Sequence, residues 1–318
     1  MTDNIYASDI AAGDVGEAND VLADEPGIGP GLTCRWPAGR VPAGFVLFCH
    51  GLGSNGRQYA DLVRHWARHG YLVIQPTFAD AVRRVAQSEP ALGLDPDADL
   101  SGWSQMPAFR ARMHEILHSP QHWLERVATV NRVMDRLGAV FDATSGRPEL
   151  SDHGAVAGHS FGAYTAQLLA GAQIDLPDGR ARRYRDNRFR AAILLSAQGR
   201  DQQGLRDGSW DGMDGPVLTV TGTLDRGAKG GDWRWKSEPY ELAPAGGKYL
   251  AVLEDGDHYL GGFADNGLQR QVPEQREAMR QLTLAFLDAH LRRSRTALAW
   301  LDQNRTTVGT CRLMFKRK

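Results

Sequence analysis

Two short stretches of this 318-residue chain carry residues whose types and spacing fit catalytic chemistry. The first reads H-E-I-L-H, from His114 to His118, and matches the signature of a zinc peptidase. The second reads G-H-S-F-G, from Gly158 to Gly162, and matches the signature of a serine nucleophile. The two patterns imply different chemistry, so the elements that surround each of them must decide between them.

The surroundings of Ser160 favour a nucleophile. The short apolar run H-G-A-V-A precedes the motif, and a helical apolar pattern begins directly after Ser160. This order of strand, tight turn and helix is the context that the serine signature needs. Gly158 and Gly162 permit a tight turn with close backbone packing, and the start of a helix favours negative charge nearby.

A nucleophilic serine needs a histidine base, which follows it along the chain in this kind of architecture. Of the ten histidines, only His258 and His290 come after Ser160. His290 lies in the last amphipathic helical pattern, whereas His258 follows directly after the apolar run K-Y-L-A-V-L-E. We therefore expect His258 to be the base.

The acid that orients the base is expected at the end of the preceding strand. Asp225 follows the apolar run P-V-L-T-V-T-G and is the expected acid. The rival carboxylates lie either after an earlier strand or beside the histidine: Asp201, Asp211, Asp214, Asp255 and Asp257.

A glycine-rich loop, H-G-L-G-S-N-G, follows the first core strand. Its glycines at 51, 53 and 56 also match a dinucleotide-binding fingerprint. That site needs an acidic residue at the end of the next strand, where the chain reads V-I-Q-P-T, so no nicotinamide cofactor is expected. The loop suits an oxyanion hole instead, and we expect its donors to be the backbone amides of Leu52 and Phe161.

Zinc chemistry at His114, Glu115 and His118 is the alternative from a different class of enzyme. Pro120 must end the helix shortly after His118, and Gln121 and Leu124 stand where related zinc peptidases continue with glycine and histidine. We expect this segment to be a solvated helix near the mouth of the site, and we expect neither a metal nor an organic cofactor.

Four tryptophans lie in segments that the sequence predicts to be loops or insertions: Trp103, Trp210, Trp233 and Trp235. They could form the wall of a pocket for the acyl or alcohol part of a substrate, because small-molecule sites are mostly apolar. Burial in the core is an equally good interpretation for any one of them.

Composition narrows the class of protein. A net charge of −1 and a pI near 6.8 give no general attraction to nucleic acid or to an anionic membrane. No apolar run is long enough to span a bilayer, and the acidic, polar start lacks a secretory signal, so we expect a cytoplasmic protein with a small-molecule substrate. The three cysteines, Cys34, Cys49 and Cys311, are expected to be reduced thiols.

Strand-like and helix-like segments alternate, which predicts an α/β protein with a mostly parallel sheet and helices on both faces. Residues 1–40 are predicted to be weakly ordered with one or two edge strands, and residues 41–318 to form a single domain. Within that domain we expect an insertion at 78–120, after the second core strand, and a C-terminal extension at 293–318. The last four residues, F-K-R-K, are expected to be a solvated tail.

Four segments together resemble the α/β-hydrolase superfamily: CHGLGSNGRQYADLVRHWARHGYLVIQP, AGHSFGAYTAQLLAG, VTGTLDRG and KYLAVLEDGDHYLGG. They are similar to bacterial proteins described as predicted dienelactone hydrolases, to the platelet-activating-factor acetylhydrolase group and, more remotely, to polyester-cleaving cutinase-like enzymes. The resemblance runs from about residue 44 to 292.

The resemblance implies a serine carboxylic-ester hydrolase for short- to medium-chain acyl esters, or a lactone, polyester or phospholipid acyl hydrolase of the same fold. It implies the same roles for Ser160, Asp225, His258, Leu52 and Phe161 as the residue-level reasoning. True dienelactone hydrolases use a cysteine nucleophile, so the serine at position 160 departs from that label and leaves the substrate open.

Overall fold

A computed structural model of the chain describes residues 5–264 and 269–318. Within these residues, ten strands form one central sheet and two form a separate antiparallel hairpin. The sheet strands are β1 (Val15–Val21), β2 (Leu32–Pro37), β3 (Gly44–Cys49), β4 (Tyr71–Pro76), β5 (Gly154–His159), β8 (Phe189–Leu195), β9 (Val217–Gly222), β10 (Lys248–Leu253), β11 (Thr307–Val308) and β12 (Cys311–Arg317). The hairpin strands are β6 (Gln173–Asp175) and β7 (Ala181–Arg183).

The strand order across the sheet is β1-β2-β4-β3-β5-β8-β9-β10-β12-β11. The six middle strands, from β4 to β10, run parallel, and the strands beyond them at each edge run antiparallel. The parallel strands are short and almost wholly apolar, as strands that are buried on both faces must be. The predicted mostly parallel sheet is confirmed.

The described residues contain nine α-helices. They are α1 (Ala60–Arg68), α2 (Val82–Ser88), α3 (Pro107–Leu117), α4 (Pro120–Asp135), α5 (Leu137–Asp142), α6 (Phe161–Leu169), α7 (Trp233–Glu241), α8 (Pro273–His290) and α9 (Arg295–Leu301). None of these described helices has both the length and the apolar character that a membrane crossing requires.

Helices cover both faces of the sheet, and the alternation of side chains along β3 shows how. Val46 and Phe48 point to one face, where they share a buried cluster with α1, α8 and α9. Phe45 and Leu47 point to the other face and pack with α4, α5 and α6. Successive residues of a strand point to opposite faces, so a continuous apolar strand supplies both halves of the core.

The segment at 78–120, predicted to be an insertion, contains α2 and α3. These helices enclose a small apolar cluster of their own, formed by Val85, Phe109, Met113 and Ile116. The helix break predicted at Pro120 is confirmed, because α3 ends at Leu117 and Pro120 is the first residue of α4.

Residues 5–40 contribute β1 and β2 to one edge of the sheet, while residues 1–4 lie outside the described part of the chain. Arg35 of β2 is buried and pairs with Glu17 of β1 at 2.9 Å. Glu17 is exposed, whereas Arg35 places a buried charged side chain within β2. This charge interrupts the apolar pattern, which explains why the sequence shows only weak periodicity here although the strands are paired along most of their length.

The C-terminal residues differ from the expected solvated tail. Phe315, Lys316 and Arg317 belong to β12, which pairs antiparallel with β10 so that Lys316 stands opposite Leu250. Their charged side chains are exposed, as the composition predicts, but the backbone is part of the sheet. The prediction of a solvated tail is wrong because backbone pairing does not depend on an apolar side chain at the edge of a sheet.

Candidate active site

Ser160 lies in the turn between β5 and α6, at the carboxyl end of a central strand. Its backbone has φ 54° and ψ −117°, a conformation that L-residues rarely adopt. Such strain costs about 1–3 kcal/mol and persists only where the surroundings enforce it. The turn presents the Ser160 hydroxyl to an open cavity at this edge of the sheet.

The glycines on either side of Ser160 are required by close packing of α6 against the sheet. A Cβ at Gly162 would stand 1.9 Å from the carbonyl oxygen of Cys49 in β3, and a Cβ at Gly158 would stand 2.3 Å from the backbone of Gly162. The predicted close backbone packing at these two positions is confirmed.

His258 follows β10 and reaches both Ser160 and Asp225. Its Nε2 lies 3.0 Å from Ser160 Oγ, and its Nδ1 lies 3.0 Å from Asp225 Oδ1. A carboxylate only accepts hydrogen bonds, so Nδ1 carries the ring proton and Nε2 is free to accept the proton of the serine hydroxyl. The structure therefore brings the three predicted residues together in the order that proton transfer from Ser160 requires.

Asp225 follows β9 and is fully buried. Burial raises its pKa, but Lys236, His258 and Ser196 together outweigh burial and hold the pKa well below its usual range. Thr221 also donates to Asp225 Oδ2 at 2.9 Å. The carboxylate is therefore ionised and held in place by several donors, as the partner of an imidazole should be.

Ser196 and Lys236 are neighbours of Asp225 that the sequence did not single out. Ser196 Oγ lies 2.8 Å from His258 Nδ1, and Ser196 comes directly after β8, the strand between those that carry Ser160 and Asp225. Lys236 of α7 is buried, with its Nζ 3.3 Å from the Ser196 carbonyl oxygen. The position of Ser196 just after an apolar run is a usable sequence signal, whereas nothing in the sequence marks Lys236 as buried.

His159 links the loops on both sides of Ser160. Its Nε2 donates to the carbonyl oxygen of His258 at 2.8 Å, and its Nδ1 accepts from the hydroxyl of Tyr59 at 3.1 Å. The Tyr59 oxygen in turn accepts from the amide of Gly51 at 3.0 Å. Burial lowers the pKa of His159 to about 3, so the ring is neutral and its two nitrogens keep these opposite roles.

Leu52 and Phe161, the predicted oxyanion residues, lie after β3 and at the first position of α6 respectively. Leu52 lines the same cavity as Ser160. Within the described residues, neither amide donates to another backbone or side-chain group. Leu52 lines the cavity whereas Phe161 is buried beside it, and the role of both amides as oxyanion donors stays a prediction.

The cavity beside Ser160 measures about 430 Å³. Its wall comes from the glycine loop, from the insertion at 78–120 and from the segment around His258. Trp103 lines it and lies close to Gly53, since a Cβ on that glycine would be 3.0 Å from the Trp103 ring. Trp103 is therefore placed where a pocket wall was predicted.

The other three tryptophans do not line this cavity. Trp210 is fully buried and donates to Gln167, so its place is the core. Trp233 and Trp235 lie on α7 rather than in a loop, because Asp232 caps the helix by accepting from Arg234. The prediction that Trp210, Trp233 and Trp235 form the pocket wall is therefore wrong for this cavity.

The H-E-I-L-H segment forms the end of α3. His114 lines the cavity, whereas the Glu115 carboxylate is exposed and pairs with Arg112 at 3.0 Å. His118 caps the helix. Across residues 5–264 and 269–318, no three histidine, cysteine or carboxylate side chains are grouped so that they could hold a metal ion. His114 and Leu117 of this segment therefore form part of the cavity wall.

No protein-family model matches the chain, and no curated protein sequence matches it.

Proposed function

We propose that the protein is a serine carboxylic-ester hydrolase with an α/β-hydrolase fold. The observation that carries the proposal is the connected series of Ser160, His258 and Asp225, with both heavy-atom distances at 3.0 Å. The strained backbone of Ser160 at the end of a parallel strand supports the same assignment. A mostly parallel sheet with helices on both faces is the architecture that such a site requires.

In the first half of the reaction, Ser160 Oγ attacks the ester carbonyl carbon while its proton moves to His258 Nε2. Asp225 stabilises the imidazolium that forms. The negative charge on the carbonyl oxygen is stabilised by the amides of Leu52 and Phe161. The bond to the alcohol oxygen then breaks, the alcohol takes the proton from Nε2, and the acyl group stays on Ser160.

In the second half, a water molecule attacks the acyl carbon and gives its proton to His258 Nε2. The bond to Ser160 Oγ breaks, the serine recovers the proton, and the carboxylic acid leaves. Every proton passes through one histidine, so no residue beyond the three is needed to balance the steps.

Short- to medium-chain acyl esters are the proposed substrates, because the cavity of about 430 Å³ is smaller than a large lipid. A lactone, a polyester chain end or a phospholipid acyl group is the alternative substrate within the same chemistry. The cytoplasmic location of the protein stays a prediction.

The test is labelling with a fluorophosphonate, which reacts with activated serines, followed by intact-mass measurement and peptide mapping. We expect one adduct on Ser160, with loss of labelling and of p-nitrophenyl butyrate hydrolysis in Ser160→Ala and His258→Ala. Ser104→Ala is the matched control, because Ser104 lines the same cavity without a histidine partner among the described residues.

An adduct elsewhere, or none on folded protein, would overturn the proposal. A zinc peptidase predicts a different pattern: hydrolysis of peptides that a chelator abolishes, that Ser160→Ala leaves intact and that His114→Ala removes.

A further inference from the structure

A buried ion pair lies behind the glycine loop. Arg126 of α4 and Asp80 are each 2% exposed, and two guanidinium nitrogens of Arg126 reach the two carboxylate oxygens of Asp80 at 2.9 and 2.6 Å. Burial raises the pKa of Asp80, but the charge and hydrogen bonds of Arg126 outweigh burial and lower the pKa below its usual value. Both side chains are therefore charged.

Arg126 also donates hydrogen bonds to the backbone of the loop that carries Leu52. Its Nη1 donates to the carbonyl oxygen of His50 at 2.7 Å, and its Nη2 makes a longer contact of 3.4 Å with that of Gly51. Its guanidinium also lies 4.1 Å from the centre of the Phe161 ring. One side chain thus contacts the loop before Leu52 and the residue whose amide is the second expected donor.

The Gly51 carbonyl and the Leu52 amide belong to the same peptide unit. A trans peptide is planar, so holding the oxygen in place points the N–H in the opposite direction. His50 Nδ1 also donates to the Gly51 oxygen, at 2.7 Å, because its Nε2 accepts from the amide of Phe78 and leaves the ring proton on Nδ1. The carbonyl side of this peptide therefore has two fixed donors.

We propose that Arg126, held by Asp80, is a positioning residue that orients the Leu52 amide and supports Phe161 in the oxyanion hole. The inference rests on the proposed function, since it assigns how that site is preorganised. Arginine suits this place because its planar, forked guanidinium can meet a carboxylate and two carbonyl oxygens at fixed angles while stacking on a ring. A lysine has a single nitrogen and cannot meet all of them.

The experiment compares Arg126→Met, Arg126→Lys and Asp80→Asn with the wild type. For each folded variant, kcat and KM are measured with p-nitrophenyl butyrate, active sites are counted by fluorophosphonate titration, and the Ki of a trifluoromethyl ketone is measured. Ser160 Oγ adds to the carbonyl carbon of the ketone and gives a hemiketal whose negative oxygen lies in the oxyanion hole. The Ki of the ketone therefore measures stabilisation by the hole separately from substrate binding.

We expect Arg126→Met to lower kcat by about 10²- to 10³-fold, as loss of one oxyanion donor does, with KM within about threefold of the wild type. The Ki of the ketone should rise by about the same factor. Arg126→Lys and Asp80→Asn should fall between the wild type and Arg126→Met in both measurements. If Arg126→Met does not fold, Arg126→Lys and Asp80→Asn test the inference in its place. In each of them, kcat should fall and the Ki of the ketone should rise together.

Arg292→Met is the matched control. Arg292 pairs with the buried Asp288 at 2.9 Å, and Asp288 also accepts from Tyr71, the first residue of β4. That ion pair therefore lies at the amino edge of the parallel strands, opposite the site. We expect Arg292→Met to lose stability and to keep kcat and Ki.

An unchanged kcat in a folded Arg126 variant, or a fall in kcat without a rise in Ki, would overturn the inference while leaving the proposed function intact. A wild-type protein that neither labels at Ser160 nor hydrolyses esters would instead overturn the proposed function, so the two failures are distinguishable.

Discussion

At the scale of single residues, the notable feature is a buried lysine beside the proposed triad. Lys236 and Asp225 both lie in the interior, and the positive charge of Lys236 is the main factor that opposes burial in setting the pKa of Asp225. The pKa of Lys236 itself is lowered by burial and raised by Asp225. Each charge therefore depends on the other, since a lone buried charge is costly.

This dependence predicts that stability and activity separate in a double variant. Asp225→Asn should lower kcat by about 10⁴-fold, because an amide does not hold the imidazole in the required tautomer. It should also lower the free energy of unfolding by about 3 kcal/mol, because Lys236 loses its counterion. Asp225→Asn/Lys236→Met should regain much of that stability and none of the activity.

Urea denaturation and ester hydrolysis, measured on both variants, check this prediction. A double variant no more stable than Asp225→Asn would show that the two charges are not coupled. Lys316→Met is a suitable control, because Lys316 pairs with Glu241 on the surface and its removal should change stability by less than about 1 kcal/mol.

At the scale of elements, the packing of α6 against β3 sets the position of the Ser160 turn. A methyl group at Gly162 would collide with backbone on β3, so Gly162→Ala must push the helix away from the sheet. We expect a loss of at least about 3 kcal/mol in unfolding free energy, with loss of activity in whatever protein folds.

Gly138→Ala is the matched control for that substitution. Gly138 lies in α5, is exposed, and would place its new Cβ where no heavy atom lies within 4 Å. Alanine is a better helix former than glycine, so the free energy of unfolding of this variant should rise by about 0.5–1 kcal/mol. Thermal and urea denaturation of the two variants measure the contrast, and equal effects would refute the packing argument.

The insertion at 78–120 supplies part of the cavity wall, and Trp103 is its tryptophan. We expect Trp103→Ala to raise KM for butyrate and hexanoate esters about fivefold, because about 1 kcal/mol of apolar contact is lost. The kcat for an acetate ester should change little. Trp233→Ala is the control, because Trp233 is a partly buried tryptophan of α7 that packs away from the cavity.

Steady-state kinetics over a series of acyl lengths checks this prediction. If KM is the same in both variants for every chain length, the acyl group does not contact Trp103 and binds along another wall of the cavity.

At the scale of the whole molecule, four histidines are buried or half-buried in neutral form. Burial lowers the pKa of His50 and His159 to about 3, and that of His65 and His290 to about 4. In the unfolded chain each of them binds a proton near pH 6.5. Between about pH 6.5 and 4 the unfolded state therefore binds more protons, and stability must fall as the pH falls through this window.

Each such histidine contributes about 1.4 kcal/mol per pH unit in that window. We expect the unfolding free energy, measured with urea from pH 7.5 to pH 4.5, to decline below about pH 6.5. His290 lies on α8 and packs against Tyr249 and Phe286. His290→Gln should therefore reduce the slope of unfolding free energy against pH by the contribution of one proton, about 1.4 kcal/mol per pH unit. His153→Gln, which changes an exposed histidine before β5, should leave the slope unchanged, and an unchanged slope in His290→Gln would contradict the linkage.

The sequence by itself determined the middle of the sheet and the approximate places of Ser160, Asp225 and His258. Parallel strands buried on both faces are continuous apolar runs, so they can be recognised one at a time. Their carboxyl ends meet at one edge of the sheet, and side chains just after three such runs were therefore expected to come together. These features depend on local pattern and chain order.

Other features were decided only by the tertiary structure, because they depend on contacts between distant residues. Arg126 interrupts an ordinary amphipathic helix, and its bond to His50 spans 76 positions. Ser196 meets His258 across 62 positions. Which tryptophan lines the cavity and whether the C-terminal residues join the sheet are likewise set by the neighbours of each segment. The local sequence does not indicate how deeply a charged side chain is buried. Nor does it indicate which distant residue offsets the free-energy cost of burying that charge.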